Sequence, residues 1–245
     1  MCVLSTHWSY LQRIHNMPDV SVDDVDWDLF NHIAKSYTFN TKLFHMKFRH
    51  NLLPTGKNEH RIGRLPTAQC PALCGCSCES HWHLLECPAT HRQDLWSKFE
   101  GTLDKLFETN NLDPGLRRVL QHLLLPLLPS ALSPPTHTKS YQEIYDTQMQ
   151  LGPCSVFMSF FTKAWVKTQK TYRELNGLST EYHESDNDIS NIGRALASHV
   201  QSLWHLRNKD VHDTTPSNHH GYRHILLQLQ LQELYDKQPR MLASD

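Results

Sequence analysis

The chain has 245 residues, enough to bury a substantial core, and its 24 Lys and Arg against 25 Asp and Glu exclude nucleic-acid binding driven by net charge alone. The longest apolar run, 123–128, contains Pro126 and is far too short to span a bilayer, so we expect no membrane association. The cysteines number seven, an odd count, and the first 18 residues lack the apolar stretch of a signal peptide. We therefore expect reduced thiols and a cytoplasmic or nuclear location.

The first half of the chain has the residue spacing of amphipathic helices. Between 27 and 37, apolar side chains recur at steps of three and four residues after an acidic lead, and acids in a first turn favour a helix. Thr90 and Gln93 have the form of a capping box that opens another helix. The predicted helices of this half are 27–37, 40–54, a turn through His83 that ends before Pro88, a helix from Thr90 through Leu106, and 116–129.

The second half begins after a proline-rich stretch. Three prolines fall within the 12 residues 129–140, which predicts a linker. We therefore divide the chain into an N-terminal helical region, 1–135, and a C-terminal helical region, 136–245. No stretch alternates apolar and polar residues for more than a few positions, so we predict a mainly α fold, a helical array. The predicted helices of the second region are 154–175, 189–211 and 222–235.

A cluster of cysteines and histidines interrupts the first region. Five of the seven cysteines lie between positions 70 and 87, together with two histidines. Structural zinc takes four nitrogen or sulfur ligands in a tetrahedron, usually as two pairs on two short arms. A spacing of C-x3-C-x8-H-x3-C supplies such pairs, and its last two members are four residues apart, on one side of a helical turn. Gly75 lies where the first arm needs a positive φ. The predicted Zn²⁺ ligands are Cys70, Cys74, His83 and Cys87.

Other side chains compete for the same metal. Cys76 and Cys78 are also available, and His81 is an alternative to His83. We prefer His83 because its four-residue step to Cys87 fits a helix, whereas a six-residue step does not. A site with four protein ligands leaves no position for a catalytic water, so the zinc is predicted to be structural. The sequence thus predicts a small zinc knuckle, at about 65–90, embedded in the helical array.

The segment between 42 and 64 is locally basic. Six cations face one acid, Glu59, so its formal charge is six minus one, or +5, whereas the whole chain has a net charge of −1. Clustered cations bind phosphates with release of counterions, and we predict weak, sequence-independent binding of RNA or single-stranded DNA. Phe44 and Phe48 fall within this segment at a spacing that places them in the core. The predicted nucleic-acid-binding residues are Lys42, Lys47, Arg49, Lys57, Arg61 and Arg64.

These motifs resemble a known segment of retroelements. The stretch from 47 to 88 is similar to the C-terminal zinc-binding region of non-LTR retrotransposon reverse-transcriptase polyproteins, of the algal and protist type, and the looser resemblance extends over about 27–235. "LWHLRNKDVH", at 203–212, resembles the W-x2-RN-x3-H element of their tails. The positions that match the knuckle pattern are Leu53, Pro54, Gly56, Lys57, Cys70, Pro71, Cys74, Glu79, His83 and Cys87.

The resemblance implies a non-catalytic, zinc-binding tail that associates with nucleic acid and with other polyprotein domains. The chain departs from the pattern in the three-residue spacing of its first cysteine pair and in two extra cysteines. It has no Y-x-D-D polymerase motif and no P-D…D/K nuclease set, so we expect neither polymerase nor endonuclease activity. A structural remnant of a truncated element, without activity, is the alternative.

A second short motif gives another alternative. Arg207, Asn208 and His212 form R-N-x3-H, which resembles the signature of HEPN ribonucleases, enzymes that need no metal. The resemblance implies that the arginine and the histidine act on the 2′-hydroxyl and the scissile phosphate. A histidine near neutrality suits acid–base catalysis. The non-catalytic interpretation is that Arg207 stacks on Trp204 and that His212 interacts with the helix dipole.

Overall fold

The computed structural model describes residues 3–15, 22–124, 127, 139–179 and 184–212, together with 227, 229, 231 and 232. The mainly α fold is confirmed, because no β-strand occurs in these residues and the one bridge joins Val25 to Thr162. The helices are α1 (Val3–His15), α2 (Trp27–Lys35), α3 (Phe39–Arg49), α4 (Gly56–Arg61), α5 (His83–Glu86), α6 (Thr90–Thr109), α7 (Pro114–Leu124), α8 (Lys139–Gln150), α9 (Lys163–Leu175) and α10 (Glu184–His212). Short 3₁₀ helices cover Val22–Asp24 and Pro153–Met158.

The chain forms two compact units, each made from two separate stretches. Unit 1 contains 1–51 and 93–201, and unit 2 contains 52–92 and 202–245. These units do not coincide with the consecutive regions predicted from the sequence, and the predicted boundary at about 135 lies outside the described residues. Most of the predicted helix 222–235 also lies outside them.

Unit 1 has a core of aromatic and aliphatic side chains. The inward faces of α2 and α3 supply Ile33 and Phe48, both completely buried. α7 packs on α8 and on the 3₁₀ helix Pro153–Met158, which contributes Phe157 to the same core. Burial of a large apolar side chain contributes about 1.5–3 kcal/mol. As predicted, Phe44 and Phe48 are buried, so neither is available to stack on a base.

The predicted helix 154–175 is interrupted, which corrects the sequence interpretation. Ser159 adopts a left-handed conformation with φ of 66°, and α9 begins only at Lys163. The break is stabilised by Gln148, a buried side chain of α8. Its amide donates to the carbonyl of Phe160 at 2.8 Å and accepts the backbone N–H of Thr162 at 3.2 Å. Buried backbone groups need such partners when a helix does not supply them.

Unit 2 contains the cysteine cluster. α4 and α5 lie wholly within it, together with the first residues of α6 and about the last three turns of α10. None of the described helices has both the length and the apolarity that crossing a bilayer requires. Leu84 and Leu85 of α5 are buried, as are Trp204 and Leu203 of α10. The apolar part of α5 therefore faces inward beside the two cluster residues at its ends.

Candidate metal centre

Four side chains from one loop and one helical turn converge within unit 2. Their ligand atoms all lie within 4.8 Å of one another. The Sγ atoms of Cys70 and Cys87 are 3.9 Å apart, far beyond a disulfide bond, and Cys74 Sγ lies 3.3 Å from His83 Nε2. Four ligands at about 2.0–2.3 Å from a tetrahedral metal lie about 3.5–3.8 Å from one another. The cluster therefore fits a metal ion, and it consists of Cys70, Cys74, His83 and Cys87.

The first arm is a tight loop closed by backbone hydrogen bonds. The N–H of Leu73 donates to the carbonyl of Cys70, and the N–H of Cys70 donates to the carbonyl of Cys76, both at 3.1 Å. Gly75 has a φ of 89°, in the left-handed region that the sequence predicted for this position. Leu73 also has a positive φ, of 53°, which no sequence signal indicated. The loop thus turns back on itself and holds both cysteines on one side.

The second arm is the single turn α5. The Ser80 hydroxyl accepts the backbone N–H of His83 at 3.1 Å, which caps the start of the turn. Cys87 ends it in an extended conformation, with ψ of 121°, because Pro88 follows. His83 and Cys87 therefore flank a turn whose length and direction are set by Ser80 and Pro88.

The competing ligands lie outside the group. In the described residues, neither Cys76 nor Cys78 joins the four atoms that lie within 4.8 Å of one another, and His81 does not either. The ring of His81 packs on Trp82 with centroids 4.3 Å apart and is itself buried. Cys78 is exposed. The structure thus selects His83 over His81, as its four-residue step to Cys87 predicted.

A buried arginine lies beside the thiols. Arg92, near the start of α6, is completely buried, and its Nη2 donates to Asp210 Oδ2 at 2.9 Å. Within the described part of the chain its Nε and Nη1 have no hydrogen-bond partner. The hydrogen bond from Cys70 lowers the pKa of Cys87, and the Arg92 charge acts in the same direction. Three thiolates around a divalent ion would leave one net negative charge, which this guanidinium would compensate.

A cavity of about 340 Å³ opens beside Cys74. Its wall includes His91 and Asp210, and His91 Nε2 lies 3.1 Å from Asp210 Oδ1. Asp210 thus contacts two consecutive residues of α6, one buried and one half-exposed. Cys74 is the most exposed of the four cluster residues, and it lines this cavity.

Glu79 connects three separate parts of unit 2. Its Oε2 accepts the backbone N–H of Gly56 at 2.6 Å, and its carbonyl accepts the N–H of Lys57 at 3.0 Å. Arg207, on α10, donates to the same carboxylate from Nε and from Nη2. A Cβ at Gly56 would lie 2.5 Å from the carbonyl oxygen of Ala68, so no larger residue fits there. Gly56, Glu79 and Arg207, which are far apart in the sequence, therefore meet at one carboxylate.

The predicted cations are divided between the two units. Lys42, Lys47 and Arg49 belong to unit 1, whereas Lys57, Arg61 and Arg64 belong to unit 2. Arg49 is engaged within unit 1, because its Nε donates to the Met158 carbonyl at 2.9 Å and its guanidinium lies 4.6 Å from the centre of the Phe30 ring. The other five cations are exposed.

The R-N-x3-H residues do not share one face of their helix. Arg207 is buried by the ion pair with Glu79 and lies 5.0 Å from the centre of the Trp204 ring. His212 is exposed at the end of α10, and Asn208 is half-buried. Five residues along an α-helix separate Arg207 and His212 by about 140° around the axis. The geometry therefore favours a structural role for Arg207.

Comparisons with protein-family models, with curated proteins and with solved structures find no match for this chain. The functional argument therefore rests on the geometry of unit 2 and of the exposed cations.

Proposed function

We propose that the chain binds one structural Zn²⁺ through Cys70, Cys74, His83 and Cys87. The observation that carries this proposal is the convergence of the four ligand atoms within 4.8 Å. Three sulfurs and one imidazole nitrogen in a small reduced site are the ligands of structural zinc. All four positions are filled by protein, so this site supplies folding energy rather than a catalytic water.

The zinc then supports a cationic surface of unit 2. Glu79, in the loop between the two arms, holds the first residues of α4 through Gly56 and Lys57. α4 carries exposed Lys57 and Arg61, and Arg64 follows directly after it. Glu59 is the one acid in this stretch, 3.6 Å from Arg64. Three cations against one acid leave a net charge of +2 that attracts phosphates within the screening length of about 8–10 Å.

We infer that this surface associates weakly with RNA or single-stranded DNA, without sequence preference. The chain would then act as the non-catalytic zinc-binding tail of a retroelement polyprotein, as its knuckle motif implies. The support for this inference is that Glu79, in the loop between the two arms, holds the start of α4. This attachment fixes the position of the exposed cations of α4 relative to the proposed zinc site. The absence of polymerase and nuclease motifs from the sequence is in agreement.

The test is the salt dependence of binding to an unpaired strand. Binding of the zinc-loaded full chain to fluorescent (dT)20 is measured from low to physiological salt, for the parent and for K57A/R61A/R64A. Each lost phosphate contact reduces the slope of log K against log salt by about 0.7, so the triple variant should lose about two units. The matched control is K98A/K105A/K163A, which removes three exposed cations of unit 1.

Zinc content is measured in the same samples and should not change in either variant. Equal slopes for the two triple variants would show that net charge, not the α4 surface, is responsible. No detectable binding by the parent at low salt would leave only the structural-remnant alternative.

A further inference from the structure

Helix α3 of unit 1 has two apolar faces, and only one of them is buried. Phe44, His45 and Phe48 point into the core. Around the helix axis, at 100° per residue, Phe39, Leu43 and Met46 lie within about 60° of one another on a different face. Phe39 is 78% exposed, Met46 47% and Leu43 37%. A single exposed apolar residue is ordinary, but three that adjoin on one helix face form a patch, and such patches are candidate contact surfaces.

Two exposed lysines flank this apolar stripe. Lys42 lies about 60° to one side of Phe39 and Lys47 about 80° to the other, with about 7.5 Å between them along the axis. α3 contains no acidic residue. In the described part of the chain, neither lysine forms an ion pair, and Asp26 of the preceding acidic stretch instead caps α2 by accepting the N–H of Leu29. The two positive charges are therefore not neutralised by direct pairing.

We propose that this face of α3 contacts an unpaired nucleic-acid strand, with a base stacked on Phe39 and phosphates on Lys42 and Lys47. The proposal rests on the nucleic-acid association proposed above and adds a second contact surface to it. Aromatic side chains beside cations are the arrangement that binds single strands without sequence preference, because every base has a stacking face. The buried Phe44 and Phe48 cannot serve this purpose, whereas Phe39 can.

A protein partner fits the same face less well. A stable interface uses about 20–30 residues a side, and the stripe offers three partly exposed apolar side chains. Self-association would bring Lys42 and Lys47 of two copies close together, and like charges oppose such contact. An unpaired nucleic-acid strand offers phosphates that can bind the two lysines and bases that can stack on the phenyl ring of Phe39.

The experiment tests whether binding needs an aromatic ring at position 39 or only an apolar side chain. (dT)20 binding by the zinc-loaded full chain is compared for the parent, Phe39→Leu, Phe39→Tyr and K42A/K47A. Stacking on one base contributes about a tenfold change in affinity, which Phe39→Leu should lose and Phe39→Tyr should keep. K42A/K47A should reduce the salt slope by about 1.4, whereas Phe39→Leu should leave the slope unchanged. Tyr10→Leu, which removes an exposed aromatic from α1, is the matched control.

The outcomes distinguish this proposal from the preceding one. If K57A/R61A/R64A weakens binding but Phe39→Leu binds like the parent, the α4 surface stands and the α3 contact is overturned. Leucine retains an apolar stripe, so that result would leave the face to a protein partner or an anionic lipid surface. A loss in Phe39→Leu that Phe39→Tyr does not restore would also overturn stacking. If the parent binds no (dT)20, both proposals fail.

Discussion

Glu79 and Arg207, 128 positions apart in the sequence, form a buried ion pair in which Arg207 Nη2 lies 2.9 Å from Glu79 Oε2. Their side chains are 1% and 5% exposed. The same carboxylate accepts the N–H of Gly56, so the pair joins the end of α10 to the start of α4 and to the loop between the two arms of the Cys/His cluster. Both charges are buried away from water, so removing either one leaves the other without a counter-charge. The loss of stability is then much larger than for an exposed ion pair.

Breaking this pair should destabilise the protein. Glu79→Gln leaves the Arg207 guanidinium buried without a counter-charge, and we expect a loss of about 3–5 kcal/mol in the free energy of unfolding. Denaturant titration of the zinc-loaded protein measures it. Glu79→Met combined with Arg207→Met should cost less than the sum of the single variants, because no charge is left unpaired. Arg64→Ala, which removes an exposed pair with Glu59, should cost less than about 1 kcal/mol.

Removing one ligand should abolish stoichiometric metal binding. Cys87→Ser replaces a buried thiolate by a hydroxyl, and elemental analysis of the purified variant should show the loss of one Zn²⁺ per chain. Since metal binding and local folding are linked, amide exchange should increase between residues 65 and 96. Cys76→Ser and Cys78→Ser are the controls and should keep the metal. Parent protein that is purified without chelator and carries no zinc would contradict the assignment.

Arg92 should raise the affinity of the site for the metal through its charge, although it is not itself a ligand. Arg92→Met keeps much of the volume but removes the charge beside Cys70 and Cys87. Loss of a supporting group around a metal site typically lowers affinity by about 10–100-fold. Competition with a zinc chelator measures this change. Arg173→Met removes a comparable arginine that is paired with Asp188 and Glu184 in unit 1, and it should reduce stability without changing zinc affinity. Equal affinities for the parent and Arg92→Met would show that this charge does not act on the site.

Acid should destabilise unit 1 through His199. Burial between Trp96 and Phe99 lowers the pKa of His199 to about 3, from 6.5 in an unfolded chain. Between these two pH values the imidazole is protonated in the unfolded chain but stays neutral in the folded protein. The contribution of His199 to the free energy of unfolding is therefore fully present above pH 6.5 and is lost as the pH falls toward 3. The expected slope for this group is about 1.4 kcal/mol per pH unit.

The contribution of His199 is isolated by substitution. His199→Leu should reduce the slope of unfolding free energy against pH by about 1.4 kcal/mol per unit between pH 6 and 4.5. Metal loss in acid affects parent and variant alike and cancels in the comparison. Leu196→Ala, a buried apolar change on the same helix, should lower stability equally at every pH. An unchanged slope in His199→Leu would mean that the imidazole is not held neutral by burial.

Local patterns were sufficient to predict several helices, among them α2, α3, α6 and α7, and to name the four residues that converge in the cluster. They did not predict α1, α4 or α8. Period and caps act over a few residues, so the starts of α2 and α6 and the end of α5 before Pro88 could be predicted from neighbouring residues. The choice of His83 over His81 likewise needed only the length of one helical turn. Resemblance added Glu79 as a member of the motif, but it did not indicate its partner.

The side chains that contact the Cys/His cluster and the basic residues could be identified only from the tertiary structure. Arg92 looks in the sequence like any surface arginine of an amphipathic helix, yet it is buried because Asp210, 118 positions away, accepts its hydrogen bond. Arg49 was grouped with the surface cations, but its guanidinium lies against Phe30. The break at Ser159 depended on Gln148 from another helix. Side chains separated by a hundred residues leave no local periodicity, so only the folded chain reveals which charges are buried and which remain exposed.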